Sequence, residues 1–189
     1  MAAREAHLSG RLKGTRIALF VEEGFEAREL QEPLTALRTE SADVVVIGPS
    51  TSATYRDKTG TETITPELAA GAARMRDFDA IVIPGGYAPD RMRMRHAMVD
   101  LVAEAMAAAK PVAAICHGPQ VLISANVLRG RTLTCWPSIA IDVQNAGGLY
   151  VDRPVVRDGN LITSRKVDDI AAFVEAIVAA LCEGRTSGA

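Results

Sequence analysis

The chain has 189 residues, enough for one well-filled domain and short for two. Hydrophobic residues make up 48% and charged residues 23%, which sets aside a disordered or fibrous protein. A formal net charge of −2 gives no basic surface suited to nucleic acid or membrane, and no apolar run is long enough to span a bilayer.

The first stretch, MAAREAHLSGRLKG, lacks the apolar centre of a signal peptide, so a cytoplasmic protein is expected. Residues 1–14 read as a loosely held arm in which His7 has no assigned chemistry. Residues 16–21 form the first buried strand, Glu22 to Glu26 a turn, and Leu30, Leu34 and Leu37 one face of a helix that Pro33 bends. Glu22 and Glu23 read as surface charge. The second strand covers 43–48. Residues 49–65 suit a short hairpin with Gly60 in its turn, and Pro66 is expected to open a helix reaching about Met75. The third strand, 78–83, ends at Pro84-Gly85-Gly86. Asp90 then sits among Arg91, Arg93 and Arg95, which read as a charged, solvated loop. An alanine-rich helix runs from about His96 to Ala109.

The fourth strand, Val-Ala-Ala-Ile over 112–115, stops at Cys116, and His117-Gly118-Pro119 opens a helix to about 127. Residues 132–136 are predicted as a strand, with Cys135 and Trp136 assigned to packing, and 139–145 as a short helix. Strands at 150–156 and 161–164 flank a turn, a last helix covers 168–181, and 183–189 reads as a flexible tail. Strand alternating with helix implies a parallel sheet covered on both faces by helices, with ligands at the carboxyl ends of the strands. Three polar features fall at those ends: the turn at 22–26, Gly85-Gly86, and Cys116-His117.

A cysteine in a tight strand-to-helix turn has the mechanics of a nucleophile elbow, with sulfur in place of the usual hydroxyl. The nearby helix N-terminus should favour thiolate over thiol. A buried cysteine can also be only a small core side chain. The three cysteines, Cys116, Cys135 and Cys182, have no short metal-ligand spacing and read as free thiols; no metal and no cofactor is expected.

The motifs F-E-x-x-E-L, I-V-I-P-G-G-x-x-P-D, A-I-C-H-G-P-Q with L-I-S-A, and L-R-G-R occur in this order with compatible spacing. The set resembles the PfpI-like intracellular proteases and deglycases, in the superfamily of the parkinsonism-associated deglycase, over residues 15–182. The resemblance implies a flavodoxin-like three-layer α/β/α sandwich with a mostly parallel central sheet. It implies Cys116 as nucleophile, His117 as its partner, Glu26 as the acidic residue beside the thiol, and Gly86 with the His117 N–H as oxyanion donors, with Gly85 and Gly86 together expected to bind the substrate oxygen. Asp90 takes the third acidic position, supplied in protease-like members across a subunit interface, so a homodimer or larger homo-oligomer is expected. An ionised Glu26 would raise the thiol pKa, whereas a protonated one could donate to thiolate. His117 could serve as general acid or base. Substrates would be small carbonyl compounds or peptides; the alternative is a redox-sensing stress protein in which Cys116 is reversibly oxidised.

Overall fold

The apolar runs become the middle of one sheet because each is buried on both faces. In the computed structural model, which describes residues 10–186, β1 (Arg16–Phe20) leads into α1 (Ala27–Thr39) and β2 (Asp43–Gly48). The polar stretch folds as the expected hairpin, β3 (Tyr55–Arg56) with β4 (Thr63–Ile64). β5 (Leu68–Ala69), β6 (Ala80–Ile83), α2 (Ala88–Met92), α3 (His96–Ala107), β7 (Val112–Ile115) and α4 (Pro119–Ser124) follow. The chain then makes β8 (Thr132–Leu133), α5 (Ala140–Asn145), β9 (Leu149–Tyr150), β10 (Val155–Asp158), β11 (Leu161–Ser164) and α6 (Ile170–Thr186).

The seven-stranded sheet has the order β10-β11-β7-β6-β1-β2-β5, and every neighbouring pair is parallel except β10 with β11. Its central order, β2-β1-β6-β7-β11, is that of the flavodoxin-like doubly wound fold. The helices fall into two groups, α1 packing on α6, and α2, α3 and α5 each packing on α4. They form the outer layers of a three-layer α/β/α sandwich.

Two stretches differ from the sequence reading. Residues 66–75 are not a helix: Leu68 and Ala69 pair with Ile47 and Gly48 as an edge strand, and short 3₁₀ turns follow at 70–72 and 75–77. The open edge of β2 offered backbone partners that local propensity does not register. Residues 10–14 are not loosely held. Leu12 is fully buried, its N–H donates to the Glu40 carbonyl at 2.9 Å, and Arg11 pairs with Glu40 at 2.6 Å. His7 and residues 187–189 lie outside the described residues. Among the described residues, no helix is long and apolar enough to cross a membrane.

Candidate active site

The turn after β7 is built as an elbow. Cys116 has φ 61°, a left-handed conformation uncommon for any residue but glycine. Backbone bonds hold it there. The Cys116 N–H donates to the Ser164 carbonyl at 3.0 Å, the Gly118 N–H to the Ile115 carbonyl at 2.8 Å, and the Trp136 N–H to the Cys116 carbonyl at 2.9 Å. The sulfur points into a cavity of about 510 Å³ at the carboxyl end of the sheet, lined among others by Glu29, Lys58, Gly86, His117, Trp136 and Lys166. The Cys116 side is nearly closed, the residue being 9% exposed.

The buried carboxyl that acts on the Cys116 thiol belongs to Glu29, not to Glu26. Glu26 is the N-cap residue of α1, just before its first turn; it lines the same cavity, but its carboxylate is paired with Lys58 Nζ at 2.5 Å. Glu29 lies one turn further on, on the inward face with Leu30, Pro33 and Leu37, where its Oε2 accepts the Gly85 N–H at 2.9 Å. The spacing 29, 33, 37 was visible in the sequence: a carboxyl on the buried stripe of an amphipathic helix is the signal that finds Glu29.

The two glycines have separate duties. The Gly85 N–H is committed to Glu29, so it is no oxyanion donor. A Cβ on Gly85 would stand 2.6 Å from Glu29 Oε2 and 2.7 Å from Cys116 Cβ. Gly86 has φ 81°, and a Cβ there would meet Glu26 N and Gly24 O at 2.5 Å. Its N–H faces the Cys116 sulfur, as does that of His117.

His117 is placed by both ring nitrogens. Nδ1 lies 3.3 Å from Cys116 Sγ and Nε2 lies 3.3 Å from Ser138 Oγ. The Trp136 ring stacks on the imidazole with centroids 6.2 Å apart and planes 30° from parallel. Trp136 therefore walls the site, where the sequence suggested only packing. Asp90 sits exposed on α2 and does not line the cavity within one protomer. The loop around it is tied down: Arg93 donates to Ser124 Oγ and Arg95 to Glu22, both at 2.9 Å. Glu22 is not surface charge. It is 2% exposed, with its second oxygen accepting the Glu23 N–H.

The electrostatics run against a resting thiolate. Burial, then the charge of Glu29, pushes the Cys116 thiol up to about 12, although the N–H groups of Gly86 and His117 oppose this. Burial likewise raises the Glu29 carboxyl to about 7, against the pull of the Gly85 N–H. Burial and the nearby Lys58 ammonium lower His117. The helix-terminus effect expected from sequence is outweighed by desolvation and a buried carboxylate. No group of three or more His, Cys, Asp or Glu among the described residues could hold a metal ion.

The DJ-1/PfpI family model matches residues 15–180. The chain belongs to the DJ-1/PfpI family. It is 39% identical to protein/nucleic acid deglycase 2 of Escherichia coli over 159 residues, covering 84% of this chain and 92% of that protein. It is 40% identical to general stress protein 18 of Bacillus subtilis over 161 residues, covering 85% of this chain and 94% of the relative. Among solved structures, a two-domain protein of Anabaena variabilis with DJ-1/ThiJ/PfpI-like and ferritin-like domains aligns with a TM-score of 0.87 at 42% identity. That match covers 88% of this chain and 48% of the Anabaena chain, so this protein spans about half its length. The carboxyl beside the thiol, which the resemblance placed on Glu26, is Glu29 in this structure.

Proposed function

We propose that this DJ-1/PfpI protein is a cysteine-dependent deglycase, cleaving methylglyoxal-derived adducts from amines or thiols. The carrying observation is a sulfur held between the Glu29 carboxyl and His117 Nδ1 at the floor of an open cavity. The deglycase-named Escherichia coli relative supports the substrate class, and the general stress protein of Bacillus subtilis supports a stress-protective role.

Between pH about 7 and about 12, Glu29 and Cys116 together carry one proton. At rest it sits on sulfur. Transfer to Glu29, or to His117 Nδ1, yields thiolate without any change in the site's net charge. The carbinol O–H proton of the adduct passes through His117 or Glu29 to the departing amine or thiol as its C–N or C–S bond breaks and an aldehyde is left, and thiolate attacks that aldehyde carbon. An S–C bond forms, the π pair of the carbonyl moves onto oxygen, and the N–H groups of Gly86 and His117 stand ready to meet that oxygen. The C-bound hydrogen of the resulting hemithioacetal then passes, as a proton moved by His117 or Glu29 through an enediol, to the neighbouring ketone carbon, which leaves a 2-hydroxyacyl thioester, and water cleaves its S–C bond to give a 2-hydroxy acid and the free thiol. Lys58 and Lys166 flank the entrance with their carboxylate partners, Glu26 and Asp168.

The test is release of free amine from a methylglyoxal-treated model arginine, with casein hydrolysis run alongside. Release by wild type and none by Cys116→Ser is expected. Equal release by both proteins would end the reading, and casein cleavage without release would move it to a peptidase. A second reading, reversible oxidation of Cys116, is favoured by the same donors, which would also hold an oxidised sulfur. Mass spectrometry after mild peroxide decides it.

A further inference from the structure

The outward nitrogen of His117 faces a residue to which neither the sequence patterns nor the family resemblance gave any role. We propose that Ser138 is a positioning residue: its Oγ accepts the proton of His117 Nε2 and so turns the lone pair of Nδ1 toward the Cys116 thiol. This rests on Cys116 being the nucleophile of the proposed reaction. A neutral imidazole carries one N–H, so the partner of one nitrogen fixes what the other can do. Nε2 stands 3.3 Å from Ser138 Oγ and Nδ1 3.3 Å from Sγ. A protonated thiol opposite Nδ1 brings its own proton and needs an acceptor there. Only the tautomer with hydrogen on Nε2 offers one, and the serine oxygen receives that hydrogen.

The local backbone makes this a built arrangement. Ser138 is the middle residue of a 3₁₀ turn at 137–139. That turn hangs from the elbow itself, because Trp136 N–H donates to the Cys116 carbonyl at 2.9 Å and Ile139 N–H to the Trp136 carbonyl at 3.1 Å. Nucleophile and orienting residue are thus fixed to one another through two backbone bonds. Stacking of Trp136 holds the ring plane while Ser138 holds its rotation. On activation the S–H bond breaks and an N–H bond forms at Nδ1. The imidazolium then donates from both nitrogens, to thiolate on one side and to Ser138 Oγ on the other, and no electrons leave the pair. Lys58 is the charged group that acts on this ring from the hairpin side and disfavours imidazolium, which makes an acceptor at Nε2 more valuable.

The experiment uses protein with ¹⁵N-labelled histidine and compares wild type, Ser138→Ala, Ser138→Thr and Asp90→Ala. The readouts are the His117 tautomer by NMR, iodoacetamide rate at Cys116, and kcat with KM on the adduct. Wild type is expected to show hydrogen on Nε2. Ser138→Ala should give mixed tautomers and lose about two- to tenfold in alkylation rate and kcat, with KM little changed. Ser138→Thr should restore both, and its hydroxyl distinguishes positioning from packing. Hydrogen on Nδ1 in wild type, or Ser138→Ala indistinguishable from it, overturns the proposal. So does loss of the tautomer preference in Asp90→Ala alone, which would give the task to a carboxylate from a second copy. If wild type fails to turn over the adduct, the deglycase reading fails while the tautomer and alkylation results still decide the role of Ser138.

Discussion

Glu29 and Cys116, both buried, compete for one proton, and this competition bears on both stability and reactivity. Burial raises the Glu29 carboxyl from 4.5 to about 7. The folded state therefore binds a proton more tightly than the unfolded chain, and ionisation opposes folding. The sign follows: below pH 4.5 there is no penalty, it grows as pH rises through 4.5 to about 7, and it is constant above. The shift corresponds to at most about 3 kcal/mol. Glu29→Gln keeps an oxygen for the Gly85 N–H and offers an N–H to sulfur. It should unfold at higher urea than wild type at pH 8 and at the same urea at pH 4. Equal midpoints at pH 8 would mean Glu29 ionises without cost. Cys116 and His117 were legible in the sequence as a strand-end pair; Glu29 was not read as a site residue, although its place on the buried stripe of α1 could have marked it. The misplaced role of Glu26 came from reading the turn as the site, when the first helical turn beyond it points inward.

At the scale of elements, the site is where three strand-to-helix junctions and one hairpin meet. The Gly86 junction is the tightest. A bridge joins Phe25 to Gly86, and the Tyr87 N–H donates to the Gly24 carbonyl at 2.7 Å. Gly86→Ala puts a Cβ at 2.5 Å from two backbone atoms in a left-handed conformation, so about 1–3 kcal/mol of stability should be lost. Urea denaturation measures this, and activity should fall with it because the Gly86 N–H moves from the sulfur. Full stability in the variant would show that the junction can relax. The hairpin contributes Lys58, and its turn is organised by Asp57, which accepts N–H bonds from Thr59, Thr61 and Glu62 at 2.8–3.0 Å. The hairpin could be read from its turn residues. That it would bring a lysine to the cavity could not, because this depends on backbone pairing of Phe25 with Asp57, which no local pattern encodes. The same limit hid β5, whose pairing is with the edge of β2, and Ser138, an ordinary turn serine until the fold sets it beside His117.

At the scale of the whole molecule, the strand order makes the site. The β2-β1-β6-β7-β11 order places the ends of β1, β6 and β7 side by side, so Glu29, Gly86 and Cys116, far apart in sequence, converge at one edge. Apolar runs alternating with helical patterns announced this sheet. The antiparallel edge strand β10 also followed from its hairpin turn. Assembly is proposed through the exposed α2 region, where Asp90 stands between Tyr87 and Met94, both largely exposed. Sedimentation at micromolar concentration should show a homodimer or larger; a monomer would contradict it. The proposed chemistry rests on one sulfur, so the most direct measurement is the pH dependence of alkylation at Cys116, read residue by residue by mass spectrometry in wild type and Glu29→Gln. Removing the buried charge should let Cys116 label at a pH about one unit or more below wild type, while the fully buried Cys135 stays unlabelled in both. A Cys116 profile that is unchanged in Glu29→Gln, or shifted to higher pH, would contradict the account.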